Sequence, residues 1–444
     1  MRRMLQHPAR IVPLAFLCAV AISTLLMMLP VARAEPGHAP FITALFTATS
    51  AVCVTGLNVV DTPTYWSTFG HVLITLLTQI GGFGIMAMAT LLGLLVTQRL
   101  GLRSRLVAQA EQSSLQFGDV RRILTRIAVT MLLFEALITA VLATRLRAHY
   151  DYPLGRAVWE GFFHAVQAFN NAGFALYSDS LIRFVDDGWI CLPLVIGVVA
   201  GGLGFPVLFE LARELRQPRR WSTHTRLTVW GSGVLLVVGV LVMLAFEWSN
   251  PRTFGPLGVS TKVLAAITQG AMPRSGGFNS VDYAAMNAET AAVTTGLMFI
   301  GGGSGGTAGG IKVTTFFLLA YVIWAEIRGE PDVVIGKRRI DESTQRQAMT
   351  VALLGIALVA GGTLGLIALT DGVSFERALF EVTSAFATVG LSMGLTPSLP
   401  PAAQLLLVVL MFMGRVGTIA IGAALALNTR HRRYRYAEGR PIVG

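Results

Sequence analysis

The sequence predicts an all-α polytopic membrane protein of four membrane helix–pore helix–membrane helix repeats, with eight spans and four re-entrant pore helices in pseudo-fourfold symmetry around a central pore. Three observations predict it. Hydrophobic residues are 53% of the 444 and charged residues only 13%, with a mean hydropathy of +0.63, so most of the surface must face lipid rather than water. Eight apolar stretches recur that are long enough to cross roughly 30 Å of hydrocarbon. Between successive odd and even stretches lies a shorter apolar segment that ends in glycine followed by Leu or Phe.

The spans run from Ile11 to Met28, Val72 to Val96, Ile127 to Ala143, Ile190 to Phe209, Leu227 to Phe246, Ala291 to Ala325, Ala348 to Leu369 and Ala402 to Leu427. The formal net charge is +11, but the basic residues form no stripe interleaved with aromatics, which argues against a nucleic-acid partner. They collect instead on one side. Arg2, Arg3 and Arg10 precede the first span; Arg99, Arg103, Arg105, Arg121 and Arg122 follow the second; Arg213, Arg216, Arg219 and Arg220 follow the fourth. Arg328, Lys337, Arg338 and Arg339 follow the sixth, and Arg430, Arg432, Arg433 and Arg435 the eighth. The positive-inside rule therefore puts both termini in the cytoplasm, as an even number of spans requires.

The basic tip, apolar run and Ala32-Arg33-Ala34 imitate a secretory signal. The run is longer than a usual signal core, and losing it would remove the first repeat's opening helix, so it is read as a span; a mature start at Glu35 would overturn that. Cys18, Cys53 and Cys191 lie in or beside apolar segments and suggest neither disulfides nor a zinc site.

The four short segments end at Leu57, Phe174, Phe278 and Leu391, and each is too short to cross. They read as pore helices entering halfway, because irregular backbone at that depth is tolerated only where it lines a water-filled path. A second element follows each one: QIGGFG from Gln79, VAGGLG from Val199, FIGGGSGG from Phe299 and FMGRVG from Phe412. From Gly56, Gly173, Gly277 and Gly390 to the first glycine of that element is 25, 28, 24 and 24 residues. The expected division is repeat 1 over 1–98, a cytoplasmic loop over 99–120, repeat 2 over 121–217 and repeat 3 over 218–329. A cytoplasmic loop over 330–345, repeat 4 over 346–429 and a tail over 430–444 complete it.

Stripping water from a potassium ion requires several oxygens at fixed distance, and backbone carbonyls supply them where glycine lets the chain turn them to one axis. The filter expected here is Val54-Thr55-Gly56, Asn171-Ala172-Gly173, Ser275-Gly276-Gly277 and Thr388-Val389-Gly390. None of these stretches carries Asp or Glu, and Thr-Val-Gly is the core of the potassium-channel filter. For any one glycine the competing reading is a helix-packing contact; the four together favour a filter.

On SAVCVTGL, VVDTPTYWSTFG, FNNAGF, GGFNSVDY, GGGSGGTAGGIKVTTF, ATVGLSMGLT and MFMGRVG the chain resembles, over essentially its whole length, the membrane subunit of the Ktr potassium-uptake system in the Trk, Ktr and HKT superfamily. Trk subunits usually carry two further N-terminal helices, for which this chain has no room. Glycine at all four filter positions, rather than the serine of some sodium-conducting plant members, implies potassium as the substrate, with sodium a candidate activator. The resemblance also implies a bacterial inner-membrane location, a homodimer, and a cytoplasmic ring of ATP/ADP-binding regulatory subunits of the KtrA type.

Two gate candidates follow. Gly301, Gly302, Gly303, Ser304, Gly305, Gly306, Thr307, Ala308, Gly309 and Gly310 should break the sixth span, because each glycine costs a helix about 1 kcal/mol relative to alanine. The resemblance describes an intramembrane loop below the filter at this place. Arg415, deep in the eighth span, costs roughly 2.5 to 3.5 kcal/mol on insertion scales and is a functional candidate for that reason; partnership with a buried carboxylate is the competing reading. It aligns with Gly82 and Gly202 and should project just below the filter.

Lys312, just past the glycine run, is read either as neutralising carbonyls at the broken helix end or as an interface residue, and Arg274 as bracing the third filter stretch from behind. Glu135 should pair with another helix, His164 should pack or hydrogen-bond, and Asp61 is a candidate at the outer mouth. Two rival readings complete the set. Gly302-Gly303-Ser304-Gly305 satisfies an intramembrane serine-protease motif, but the only later histidine is His431, in the tail. A sodium-coupled secondary transporter would have broken helices at the midplane, usually with inverted or twofold repeats. No nucleotide-binding motif is present, and the expectation is a protein that is not an enzyme.

Overall fold

The structure, a computed structural model, describes residues 8–98, 117–336 and 338–417. Most of the 99–120 loop, Lys337, the end of the eighth span, His431 and the 430–444 tail lie outside the described residues.

The helices are, in order, α1 (Pro8–Met27), α2 (Phe41–Val52), α3 (Thr68–Gln98), α4 (Phe117–His149), α5 (Leu154–Asn170), α6 (Gly188–Leu203), α7 (Phe205–Glu214) and α8 (Thr223–Glu247). Then come α9 (Val259–Ala271), α10 (Ala288–Phe299), α11 (Val313–Ile327), α12 (Glu342–Leu369), α13 (Phe375–Phe386) and α14 (Pro401–Phe412), which runs into a π turn, Met413–Gly417. Among the described residues, four helical segments are long and apolar enough to cross a bilayer: Thr68–Met88, Arg121–His149, Thr223–Glu247 and Glu342–Leu369. Their outer faces carry Ile80, Leu132, Leu137, Trp230, Leu241, Leu353 and Leu364, all more than half exposed. Such an apolar surface is a liability in water and suits lipid.

The short helices α2, α5, α9 and α13 are the most enclosed. Phe163, Phe169, Phe278, Phe380 and Phe386 are fully or almost fully buried on or just after them, so the densest packing surrounds the ends of these helices. Polar caps and buried carboxylates fix the connections. Glu381 on α13 accepts from Ser392 Oγ at 2.6 Å, Thr396 Oγ1 at 2.7 Å and the Met393 amide at 2.9 Å, pinning the chain that follows. Glu247 at the end of α8 does the same for Thr253, Thr290 and the Asn287 amide. Glu160 takes Arg156 at 2.6 Å and the Tyr177 hydroxyl at 2.5 Å.

Two features depart from expectation. The stretch Ile190 to Phe209, read as one span, is two helices bent by 102°. Gly204 stands between them at φ +88°, and Pro206 follows in the first turn of α7. Proline has no amide to donate to the carbonyl four residues back, and its ring collides with that carbonyl, which here belongs to Gly202. The segment 330–345 is not plain loop either: Val334–Ile335 and Arg338–Arg339 pair as a two-stranded antiparallel hairpin. The stretch Ala291 to Ala325 is interrupted, as its glycine content predicts, with α10 ending at Phe299 and α11 beginning at Val313.

Candidate functional site

Each short helix ends the same way. The next residues include a non-glycine with positive φ: Val54 at 56°, Asn171 at 62°, Ser275 at 75° and Thr388 at 47°. In three cases the following amide reaches back five residues, Thr55 to Ser50 at 2.7 Å, Ala172 to Gln167 at 2.8 Å and Val389 to Ser384 at 2.9 Å. That is the Schellman closure of a helix C-terminus. In the third case Gly276 donates to Met272 at 2.7 Å instead. Two residues past each of these positions stands glycine, again with positive φ: Gly56 at 86°, Gly173 at 75°, Gly277 at 72° and Gly390 at 91°.

The residues between, Thr55, Ala172, Gly276 and Val389, keep negative φ. Successive carbonyls of an extended chain point to opposite sides, and alternating the sign of φ turns them to the same side. A left-handed conformation costs an L-residue about 1–2 kcal/mol, so four non-glycine examples at equivalent places mark a demanding backbone.

The four stretches meet. A methyl group added at Gly56 would fall 1.7 Å from the Ala172 carbonyl oxygen, and one at Gly173 would fall 2.5 Å from Gly277 Cα. One at Gly390 would lie 2.3 Å from the Thr55 carbonyl oxygen and 3.3 Å from the Cα atoms of both Gly277 and Gly56. The glycines thus form a closed sequence of neighbours, with no room for a side chain. Thr55 Oγ1 and Thr388 Oγ1 are buried beside them and have no hydrogen-bond partner among the described residues.

The glycine loop 301–310 is sewn to one end of these stretches. Thr307 Oγ1 donates to Asn171 Oδ1 at 2.9 Å, and the Gly309 amide to Ser275 Oγ at 3.3 Å. Ser275 Oγ in turn donates to the Thr388 carbonyl at 2.7 Å. A Cβ on Gly309 would lie 2.1 Å from Thr388 Oγ1.

The loop also replaces the broken ladder of α6. The Gly202 carbonyl, left without an amide by Pro206, accepts from Gly303 at 2.7 Å. The Gly201 carbonyl accepts from Thr307 at 3.1 Å, and the Phe205 amide reaches the Gly305 carbonyl at 3.4 Å. Buried backbone groups need partners, so the loop and the bend satisfy each other.

Arg415 is 2% exposed and its Nη1 donates to the Thr307 carbonyl. Its Nε and Nη2 are buried without a partner, and no carboxylate pairs with it among the described residues. Lys312 Nζ donates to the Ala308 carbonyl at 2.6 Å. Arg274 spans from the Ser232 carbonyl at 2.9 Å to the Gly301 carbonyl at 3.3 Å, joining α8 to the loop.

Glu135 accepts from Gln79 at 2.9 Å and Asn170 at 3.2 Å, so it does pair with other helices. His164 stacks on Tyr177 and meets the Glu160 carbonyl at 2.7 Å. Asp61 accepts from Thr64 at 2.6 Å and Ser178 at 2.8 Å, bridging the connections that follow α2 and α5. Among the described residues no group of three His, Cys, Asp or Glu side chains is placed to hold a metal ion.

The four glycine-bearing stretches, the loop 301–310 and Arg415 therefore come together in one place, whereas Asp61, His164 and Glu135 make their contacts elsewhere. Sequence reasoning missed the dock for that loop, Gly201 to Pro206. Its signal was present in VAGGLG followed by Phe-Pro.

This is the architecture of a cation transport protein, and the chain belongs to that family: residues 15–429 match the family described as TrkH, cation transport protein. It is a transport protein and not an enzyme, and it is a multi-pass membrane protein. It is 36% identical over 437 residues to the Ktr system potassium uptake protein B of Bacillus subtilis (strain 168), covering 98% of this chain and 97% of that one. The protein of the same description from Vibrio alginolyticus is 35% identical, over 94% of this chain and 91% of its own length. The potassium/sodium uptake protein NtpJ of Enterococcus hirae is 30% identical, over 98% and 97%. The crystal structure of the potassium transporter TrkH from Vibrio parahaemolyticus superposes with a TM-score of 0.71 at 18% identity, over 95% of this chain and 84% of that one, which extends the agreement to the fold.

Proposed function

We propose that the chain is the potassium-translocating subunit of a potassium-uptake system, with eight spans in four pseudo-fourfold repeats around one pathway. The observation that carries this is the meeting of Gly56, Gly173, Gly277 and Gly390, each two residues beyond a left-handed residue. Carbonyls of the filter residues, from Val54-Thr55-Gly56 to Thr388-Val389-Gly390, replace the hydration shell of the ion. Each short helix turns its C-terminal end to the same place, adding partial negative charge. Family membership and the potassium-uptake relatives support potassium as the cargo. Sodium is a candidate activator, and the potassium/sodium relative is the reason to test it.

The gate in this reading is the loop 301–310 together with Arg415. The loop hydrogen-bonds to the end of the filter stretches, and beside it lies a guanidinium whose Nε and Nη2 have no partner among the described residues. A cation leaving the filter meets both. Conduction requires the loop to shift away, and its Thr307 carbonyl is the point where Arg415 holds it.

The basic loops support a reading in which both termini lie in the cytoplasm, with the chain in a bacterial inner membrane. A homodimer, and a nucleotide-binding regulatory ring of the KtrA type on the cytoplasmic face, complete the system. The test is potassium and sodium flux through the purified chain in vesicles, with and without that soluble partner and ATP or ADP. Selective potassium flux altered by the partner is expected, and equal passage of sodium would overturn the reading.

A further inference from the structure

The bend at Gly204 opens a cavity of about 1700 Å³ between α7, the start of α8 and the Val334–Arg339 hairpin. Arginines from three separate stretches of chain line it: Arg126 on α4, Arg213, Arg219, Arg220 and Arg226 around the α7–α8 connection, and Arg338 on the hairpin. Among the described residues only two carboxylates share the lining with these six arginines. Glu210 is taken up by Ser222 Oγ at 2.7 Å, Thr225 Oγ1 at 2.5 Å and the Ser222 amide. Glu214 meets Arg213 at 3.5 Å. Arg219 and Arg220 make no ion pair among the described residues.

Membrane topology by itself asks for basic loops, not for six guanidiniums gathered around one concavity. Like charges so placed repel, and the focused positive potential selects an anion. Phosphate is the anion whose geometry suits several guanidiniums. The position narrows the source. The chain turns away from α6 by 102° at Gly204, and the cavity lies beyond that turn, at α7 and the α7–α8 connection.

Pro206, Phe209 and Trp221 line the cavity beside the arginines, and tryptophan is enriched where protein meets the membrane–water interface. A phosphodiester on acyl chains fits both surfaces at once. The same α7 begins at the glycine loop: Phe205 donates to the Gly305 carbonyl at 3.4 Å, and a Cβ on Gly204 would lie 2.8 Å from the Gly306 amide nitrogen.

We propose that this cavity binds the phosphate headgroup of an anionic phospholipid and that α7 carries its occupancy to the glycine loop. The first part rests on the cavity alone; the second rests on the potassium pathway argued above. The test uses the purified full chain in neutral detergent, titrated with phosphatidylglycerol, with phosphatidylcholine and with inorganic phosphate, reading bound ligand directly. Phosphatidylglycerol should bind most tightly. The double variant Arg219→Gln/Arg220→Gln should weaken it about tenfold, while Arg328→Gln/Arg346→Gln, which removes the same charge outside the cavity, should not.

Equal losses in the two double variants would overturn the site. Inorganic phosphate binding as tightly, with the same arginine dependence, would overturn the lipid as ligand, as would binding of an acidic protein partner and no phosphate compound. In vesicles, potassium flux of the unmodified chain should change severalfold when phosphatidylglycerol is added to phosphatidylcholine, and that response should vanish in the Arg219/Arg220 variant. Lipid binding without any flux response would overturn the role of α7. Absence of potassium flux in every vesicle would instead mark failure of the pathway, recognisable because binding is read without transport.

Discussion

Arg415 shows how one residue can be legible in type and hidden in role. Its depth in an apolar stretch marks it in the sequence, but only the structure gives its partner, the backbone of Thr307 rather than an acid. Removing the charge should therefore release the loop. Arg415→Ala is expected to raise potassium flux about tenfold, equivalent to ~1.4 kcal/mol of barrier, with unchanged membrane insertion; equal flux in vesicles would remove Arg415 from the gate. At the filter, a Cβ on Gly56 meets the Ala172 carbonyl and must push apart the neighbouring stretch. Gly56→Ser should raise the sodium-to-potassium flux ratio several-fold, measured by paired isotope uptake. Val54 carries the opposite lesson: nothing in its type announces φ of 56°, because tertiary packing over-determines a backbone its own preference opposes.

At the scale of elements, the four similar glycine-bearing segments take four backbones. After Gln79 the helix runs on, after Val199 it bends by 102°, after Phe299 it opens into a loop, and after Phe412 it widens into a π turn. Sequence similarity there sets the register but not the geometry, since Pro206 and the density of glycine decide which ladders break.

The loop is held by close backbone approach. Gly309→Ala should drive it off Thr388 and raise basal potassium flux, whereas Gly296→Ala, whose added methyl meets nothing within 4 Å, should leave flux unchanged. Asp341 caps α12 by accepting from the Ser343 and Thr344 amides at 3.1 and 3.2 Å, and its bonds to Ser343 hold the carboxyl below its ordinary range. Asp341→Ala should cost about 1 kcal/mol, read as a lower melting point in detergent. Because the folded value is the depressed one, that contribution is present above the unfolded carboxylate value near ~3.9 and fades as pH falls through the folded one.

For the whole molecule, an ion bound in the proposed filter would tie the four stretches together, so binding should stabilise the fold by mass action. Potassium is expected to raise the melting temperature of the detergent-solubilised chain more than sodium at equal ionic strength, and Gly56→Ser should abolish the difference; identical curves for both ions would count against a selective site. The short glycine-ended segments and the interruption between α10 and α11 were readable from residue order, because hydrophobic run length and glycine content act locally. What residue order could not supply was everything that depends on a distant partner: the carbonyl that receives Arg415, the amides of Gly303 and Thr307 filling the ladder vacated at Pro206, and the gathering of arginines from α4, α7 and the hairpin around one cavity. Spans and turns follow from each segment's own chemistry, whereas the closure of the pathway follows from which segments the fold brings within hydrogen-bonding distance.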